Sequence, residues 1–370
     1  MEFLHKNSEL FLQAINIVSQ EKNILPEIIE KDYYVTLILK FLSEKIPFIV
    51  FKGGTSLSKC HNIIKRFSED IDIAIDTEIS KSQKKNIKQS IIEVANFLEL
   101  EITNIDETRS RNNYNKYIFA YKSVLESENT FLKSGVILET SYITISFPTE
   151  NKIVSSFIGN MMKTESPDFI ETFGLSDFTM KTQCIERTFI DKVFALCDYY
   201  LQNKISSHSR HIYDIYKILP KINFNENFYK LIFDVREVRK ISPICISSDE
   251  KYKISELLKE IINKDTYKKD YEHITEKILE ESVDYETSIT ALKKIIEKDI
   301  FWFWEIMLSF TKNAHLCNPY RSRQIGKINL FQRKTEIKFS HEIRNITFWL
   351  PINKIQSHLV YKEPNLLHHQ

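Results

Sequence analysis

Two glycines and a serine in the first third of the chain have types and spacing that suit binding of a phosphate. Gly53 and Gly54 directly follow a short apolar segment, and Ser56 comes two residues later, where a helix is expected to begin. Glycine lets the backbone approach a ligand closely, and the first N–H groups of a helix have no partner within it. A helix start therefore attracts anions, and a serine adds a hydroxyl donor. The pattern predicts a phosphate-binding turn.

A pair of acids follows shortly after this turn. Asp70 and Asp72 lie two residues apart in a segment where isoleucine alternates with polar residues. Such alternation is typical of a strand, in which residues two apart project from the same face. Neighbouring carboxylates repel each other unless a cation lies between them. Two Mg²⁺ ions about 3.5–4 Å apart would satisfy them, activate a hydroxyl nucleophile and stabilise a leaving pyrophosphate.

Each motif alone also has an ordinary structural interpretation. A Gly-Gly pair is common in turns, and Asp-x-Asp on a strand is often a solvated face. The combined order of strand, Gly-Gly-x-Ser, helix, strand and Asp-x-Asp is far less expected by chance. This conjunction favours a metal-dependent nucleotidyltransferase over a non-catalytic nucleotide-binding module.

The hydrophobic pattern predicts an α/β unit that positions these motifs. Apolar residues recur at helical spacing in some segments and alternate, or form short runs between Pro and Gly, in others. The predicted helices span 8–20, 26–43, 55–66 and 82–98, and the predicted strands span 48–51, 70–76, 100–105, 114–122 and 135–147. These elements predict a mixed sheet within residues 1–150.

After Pro148 the pattern changes to that of helices. The predicted helices span 184–202, 209–219, 226–235, 253–263, 268–281 and 286–299. The sequence thus divides into a nucleotidyltransferase core at 1–150, a helical domain at 151–311 and a basic tail of uncertain structure at 312–370. The tail has ten Lys or Arg against three Glu, a net charge of +7.

Composition indicates an ordinary globular protein of the cytoplasm. Of 370 residues, 42% are hydrophobic and 27% are charged, which argues against disorder. Five cysteines stand far apart without a C-x-x-C pair, a pattern that fits a reducing compartment better than a disulfide framework. No apolar stretch approaches the roughly 20 residues that span a bilayer, so no membrane partner is expected.

Three segments together resemble one known family. They are Glu-Lys-Asp-Tyr-Tyr at 30–34, Phe-Lys-Gly-Gly-Thr-Ser-Leu-Ser-Lys at 51–59 and Arg-Phe-Ser-Glu-Asp-Ile-Asp at 66–72. They resemble the AbiEii/AbiGii family, nucleotidyltransferase-like toxins of bacterial type IV toxin–antitoxin and abortive-infection systems. The resemblance covers about residues 25–300. It implies a DNA polymerase β-like nucleotidyltransferase core with a mixed sheet, followed by an α-helical domain.

The same resemblance implies roles for residues in the helical part. Lys192 in Arg-Thr-Phe-Ile-Asp-Lys and Asp214 in Arg-His-Ile-Tyr-Asp match family motifs implicated in catalysis. Lys192 would neutralise the triphosphate, Asp214 would support the site, and Arg187 or Arg210 would bind nucleotide or acceptor. From the residues alone, the ordinary interpretations are favoured. Lys192 would then be a lysine covering apolar surface, and Arg210 and Asp214 would be a helical i,i+4 ion pair.

Glu139 is a third candidate metal ligand. It is the single acid in the strand-like run 136–147. Transferases of the resembled fold usually take a third metal-side carboxylate from a later strand. A surface glutamate on an edge strand is the other interpretation, and the sequence does not separate the two.

The resemblance also implies a reaction. An NMP would pass from an NTP to an acceptor hydroxyl with two Mg²⁺, and the acceptor would be the 3′ end of a tRNA, so that translation and growth stop. The partner would be an antitoxin encoded nearby, AbiEi-like. The residues themselves leave a protein-modifying, adenylylating transferase open, since its chemistry is the same.

Overall fold

A computed structural model describes residues 2–66, 68, 70–125 and 135–301. The described residues form one mixed sheet of seven strands in the order β3-β4-β5-β2-β1-β7-β6. The strands are β1 (Ile49–Lys52), β2 (Asp70–Ile75), β3 (Glu101–Ile102), β4 (Tyr114–Ala120), β5 (Val136–Ile145), β6 (Thr149–Val154) and β7 (Phe178–Gln183). β1 pairs antiparallel with β2 and parallel with β7, while β2 pairs parallel with β5. The predicted α/β core with a mixed sheet is confirmed.

Helices precede, interrupt and follow the sheet. In the first half of the chain they are α1 (Ser8–Lys22), α2 (Pro26–Lys45), α3 (Gly53–Lys59), α4 (Lys81–Phe97), α5 (Phe157–Glu165) and α6 (Pro167–Thr172). In the second half they are α7 (Ile185–Leu201), α8 (Arg210–Ile218), α9 (Glu226–Arg239), α10 (Ile254–Asn263), α11 (Lys268–Asp270) and α12 (Tyr285–Glu297). No helix in these described segments is both long and apolar enough to cross a membrane.

The strand β2 shows how the sequence pattern fixes the sheet. Ile71, Ile73 and Ile75 are buried with α2 and α4 in the first hydrophobic core. Burying a side chain of this kind contributes about 1.5–3 kcal/mol. Because alternate residues face opposite sides of a strand, this burial forces Asp70 and Asp72 to the other face.

The helices after β7 have a hydrophobic core of their own. Phe189 and Val193 of α7 are fully buried there, together with Ile212 and Ile215 of α8. This second core lies among α7 to α12 and also takes in Leu57 of α3. The two helices α7 and α8 are thereby fixed beside the helix that follows β1.

Three expectations need correction. The change to helices comes later than Pro148, because β6 and β7 extend the sheet before α7 begins. The helix expected at 55–66 ends at Lys59, and the one expected at 268–281 is broken into short helical turns. The tail at 312–370 lies outside the described residues.

Candidate active site

A row of four charged side chains crosses four neighbouring strands of the sheet. Lys52, Asp72, Glu139 and Lys116 are direct neighbours in register on β1, β2, β5 and β4. Residues directly opposite each other on adjacent strands share a face, with Cβ atoms about 4.5–5.5 Å apart. The strand register therefore places Glu139 beside Asp72, as the interpretation of Glu139 as a third acid requires. Lys116 Nζ lies 4.0 Å from Glu139 Oε1.

Asp70 brings a third carboxylate to the same face. Its Oδ1 atom is buried and has no hydrogen-bond partner among residues 2–66, 68, 70–125 and 135–301. Burial raises the pKa of Asp72 to about 6, with Glu139 and Asp70 adding to the rise and Lys52 opposing it. The site thus concentrates negative charge that its own lysines compensate only in part.

The Gly-Gly turn packs tightly against this acidic face. Gly53 has a positive φ of 81°, and a Cβ there would lie 2.0 Å from Asp72 Oδ2. A Cβ at Gly54 would lie 2.6 Å from both Arg66 Nη2 and Ser68 Oγ. Both positions therefore need glycine to let the turn approach the acids.

Hydroxyl groups of α3 fix the turn and the start of β2. Ser56 is fully buried and donates to the carbonyl oxygen of Gly53 at 3.0 Å. Thr55 donates to the carbonyl oxygen of Asp70 at 2.5 Å, and its Oγ1 lies 3.0 Å from Ser68 Oγ. Thr55 therefore ties the turn to β2, a role that the sequence analysis did not assign.

A buried ion cluster joins the α/β part to α7 and α8. Asp214, fully buried, accepts from Arg66 Nε at 2.7 Å, from Arg66 Nη2 at 2.8 Å and from Lys192 Nζ at 2.6 Å. Burial would raise the pKa of Asp214, but the two cations outweigh it and hold this pKa well below its usual range. Burial lowers the pKa of Lys192, and Asp214 opposes that shift. The structure thus brings Lys192 and Asp214 together next to the acids.

The partner of Asp214 differs from the one considered in the sequence. An i,i+4 pair with Arg210 was the ordinary interpretation, yet the guanidinium that pairs with Asp214 is that of Arg66. Arg66 lies in the motif at 66–72, but its pairing crosses 148 positions and no local spacing signals it. Sequence reasoning missed this residue.

The two arginines predicted to bind nucleotide or acceptor differ in their surroundings. Arg187 is 2% exposed, and it donates to Asp191 Oδ2 and to the carbonyl oxygen of Phe147, both at 2.9 Å. Its guanidinium therefore already has internal partners. Arg210 is half-buried at the start of α8 and makes no ion pair or hydrogen bond to any residue that the structure describes. Arg210 is the better placed of the two to meet a ligand.

The donor set suits a hard cation. Asp70, Asp72 and Glu139 offer carboxylate oxygens, which Mg²⁺ prefers, and one of these oxygens is buried without a partner. As the described side chains stand, no three His, Cys, Asp or Glu residues are grouped to hold a metal ion. Mg²⁺ is commonly bound by one or two carboxylates together with substrate phosphates.

Comparisons with known proteins identify a family for this chain. The family model described as "Nucleotidyl transferase AbiEii toxin, Type IV TA system" matches residues 38–298. A search of curated proteins gave no match. Among solved structures, JHP933 from Helicobacter pylori is 16% identical with a TM-score of 0.37, covering 79% of this chain and 99% of that one. MenT4, a nucleotidyltransferase toxin from Mycobacterium tuberculosis, is 13% identical with a TM-score of 0.40, covering 76% of this chain and 88% of that one. Structural likenesses at this level carry no argument about individual residues.

Proposed function

The chain belongs to the AbiEii family of nucleotidyltransferase toxins of type IV toxin–antitoxin systems, and from this premise we propose that it transfers an NMP from an NTP to the 3′ hydroxyl of a tRNA. The bond between the α- and β-phosphates breaks, a phosphodiester to the acceptor oxygen forms, and pyrophosphate leaves. The observation that supports this most directly is the convergence of Asp70, Asp72 and Glu139 beside the Gly-Gly turn.

Asp70 and Asp72 would hold two Mg²⁺ ions, with Glu139 as the third carboxylate. The orphaned Oδ1 of Asp70 and the raised pKa of Asp72 both fit a site that is completed by cations. When bound, Mg²⁺ supplies Lewis acidity for nucleophile and leaving group.

The remaining residues would bind and orient the triphosphate. The backbone at Gly53 and Gly54 would meet phosphate oxygens. The same proposal for Ser56 requires that its buried hydroxyl exchange the carbonyl oxygen of Gly53 for a phosphate oxygen. Lys192 Nζ, fixed by Asp214 at 2.6 Å, would neutralise negative charge on the leaving side. Arg210 would contact the nucleotide or the acceptor. For Arg187 to do the same, it would have to give up its hydrogen bonds to Asp191 and to the carbonyl oxygen of Phe147.

Membership in this family implies a cognate antitoxin. We place the reaction in the cytoplasm, where modification of tRNA ends blocks aminoacylation and stops growth. An AbiEi-like protein encoded nearby would restrain it, and release during phage infection would make it a defence system. The same proposal divides the chain into a nucleotidyltransferase core, a helical domain and a basic tail at 312–370, and β6 and β7 move the end of the core from residue 150 to Gln183.

Radiolabel from one NTP is expected to move onto tRNA, at the 3′ end. The pure full-length protein is incubated with Mg²⁺, each α-labelled NTP in turn, total tRNA and total protein. Because phosphate contacts release counterions, RNA binding should weaken steeply as salt rises. Label on protein alone, with tRNA untouched for every NTP, would replace the tRNA acceptor with a protein hydroxyl. Deleting 312–370 then shows whether the basic tail takes part in RNA binding.

Gly54→Val should weaken NTP binding markedly. The added Cβ would collide with Arg66 Nη2, which cannot swing away cheaply because Asp214 holds it in a buried bidentate pair. Isothermal titration calorimetry with each NTP and Mg²⁺ measures the effect.

Gly159→Val is the matched control for this substitution. A Cβ at Gly159 is equally crowded, 2.8 Å from the carbonyl oxygen of Leu175, but this glycine lies on α5, away from the acids. The control should lose stability while NTP affinity per folded molecule stays unchanged. Wild-type affinity in Gly54→Val would place the phosphate site elsewhere.

A further inference from the structure

Three aromatic rings lie together between α7 and α8, next to the ion cluster. Tyr199 of α7 and His208 of the following loop stack with ring centroids 3.5 Å apart and planes 5° apart. His211 of α8 is nearly parallel to Tyr199 at 5.7 Å and to His208 at 6.1 Å. These distances place His211 beside Tyr199, with His208 lying over the Tyr199 ring. We call Tyr199, His208 and His211 the ring cluster.

The loop that carries His208 is held in place by one acid. Asp270 accepts hydrogen bonds from the backbone N–H groups of Ser207 at 2.8 Å and Ser209 at 3.0 Å, on both sides of His208. Ser209 Oγ also lies 2.7 Å from Thr275 Oγ1. The stacked ring is therefore preorganised.

The ring cluster has unused polar groups. The Nδ1 atoms of His208 and His211 are buried and find no hydrogen-bond partner in the portion of the chain that is described. Burial lowers the pKa of His208, and burial with Lys192 and Arg210 lowers that of His211 well below its ordinary value. A neutral imidazole offers one donor and one acceptor. Both rings can therefore pair with a polar planar group.

The ring cluster lies within one nucleotide length of the phosphate-binding lysine. Lys192 and Tyr199 are seven residues apart on α7, which puts them on one face of the helix, about 10 Å apart along its axis. A ribose and an α-phosphate can bridge that separation. Burial raises the pKa of Tyr199, and Asp72 adds to the rise, so this ring is also within electrostatic reach of the acids.

We propose that the ring cluster is the subsite for the base of the donor NTP. The inference rests on the proposed function. The base stacks on the rings, the imidazole nitrogens meet its polar edge, and its phosphates extend along α7 toward Lys192. Arg210, next to His211 at the start of α8, is within electrostatic reach of both Tyr199 and Lys192.

The test compares NTPs with inorganic tripolyphosphate, which lacks a base. With Mg²⁺, His208→Ala should bind its preferred NTP about tenfold more weakly than the wild type, as expected for one lost stacking contact. Tripolyphosphate affinity should not change. His208→Phe, which keeps a flat ring, should retain most of the NTP affinity. His273→Ala, an exposed histidine on another segment, is the control and should bind both ligands normally.

Two results would overturn the subsite. If His208→Ala has the melting temperature of the wild type and the same NTP affinity, the base does not bind at this position. Unchanged NTP affinity with a raised KM for the acceptor assigns the rings to the acceptor instead. Failure of nucleotide binding as such gives a different result, because the wild type itself would then bind neither NTP nor tripolyphosphate. A protein acceptor in place of tRNA would show in the label-transfer assay and would leave both affinities unchanged.

Discussion

Asp72→Asn is expected to lower transfer by about 10³-fold or more, since it removes a charged metal ligand at the centre of the acidic row. The variant should also be more stable than the wild type at pH 7. Burial and two neighbouring acids raise the pKa of Asp72 to about 6, above the roughly 3.9 of an unfolded chain. Because this pKa is higher in the folded protein, protonation of Asp72 favours the folded state. That contribution to stability is complete below pH 4 and is lost as pH rises through about 6. The asparagine avoids this loss, which is of the order of 3 kcal/mol.

Initial rates of label transfer and urea unfolding from pH 4 to pH 8, without metal, measure both effects. Asp76→Asn is the matched control, because Asp76 directly follows the same strand but pairs with Lys181. Its transfer rate should be that of the wild type. Full activity in Asp72→Asn would remove the basis for the proposed reaction.

Lys192→Met is expected to lower kcat by about 10²-fold, the size of effect seen when one preorganised donor to developing charge is removed. The methionine keeps most of the packing volume and removes only the cation. Asp214 remains paired with Arg66 through two hydrogen bonds, so the buried carboxylate is not left alone. We therefore expect a modest fall in melting temperature, unlike the loss of about 3–5 kcal/mol that follows when a buried charge loses its whole partner.

Single-turnover kinetics at saturating NTP separate this loss from a binding defect. Lys217→Met is the control, since Lys217 lies on α8 and pairs with Glu281 away from the acids. A fully active Lys192→Met, with the control equally active, would return Lys192 to a structural role.

The sequence predicted those parts of the site that depend on local pattern. Alternation of isoleucine with aspartate identified β2 and the face that carries Asp70 and Asp72. The Gly-Gly pair after a short apolar run identified the turn. Glu139 remained undecided, because its neighbour across the sheet depends on which strand pairs with β2. The register Asp72 to Glu139 resolves its position, while its role as a metal ligand stays a prediction.

Non-local pairing accounts for what the sequence analysis missed. Arg66 reaches Asp214 across 148 positions, and no local signal chooses it over Arg210. Asp191, four residues after Arg187, was a local signal that this arginine has an internal partner, and the structure has that pair at 2.9 Å. The strands β6 and β7 were missed because their sequences are mostly polar, so no apolar run or regular alternation marks them.

Because β7 pairs with β1, the sheet cannot be isolated by ending the chain before β7. A fragment that stops at residue 150 would lack β7 and leave the backbone of β1, directly before Gly53, as an open sheet edge. An open sheet edge can pair with strands of other molecules, so such a fragment is expected to aggregate rather than fold into an active enzyme. Two separately expressed halves divided near residue 203, in the loop between α7 and α8, would instead keep every described strand in the first half. Their reassembly would restore the pairing of Lys192 with Asp214, and activity would report that reassembly directly.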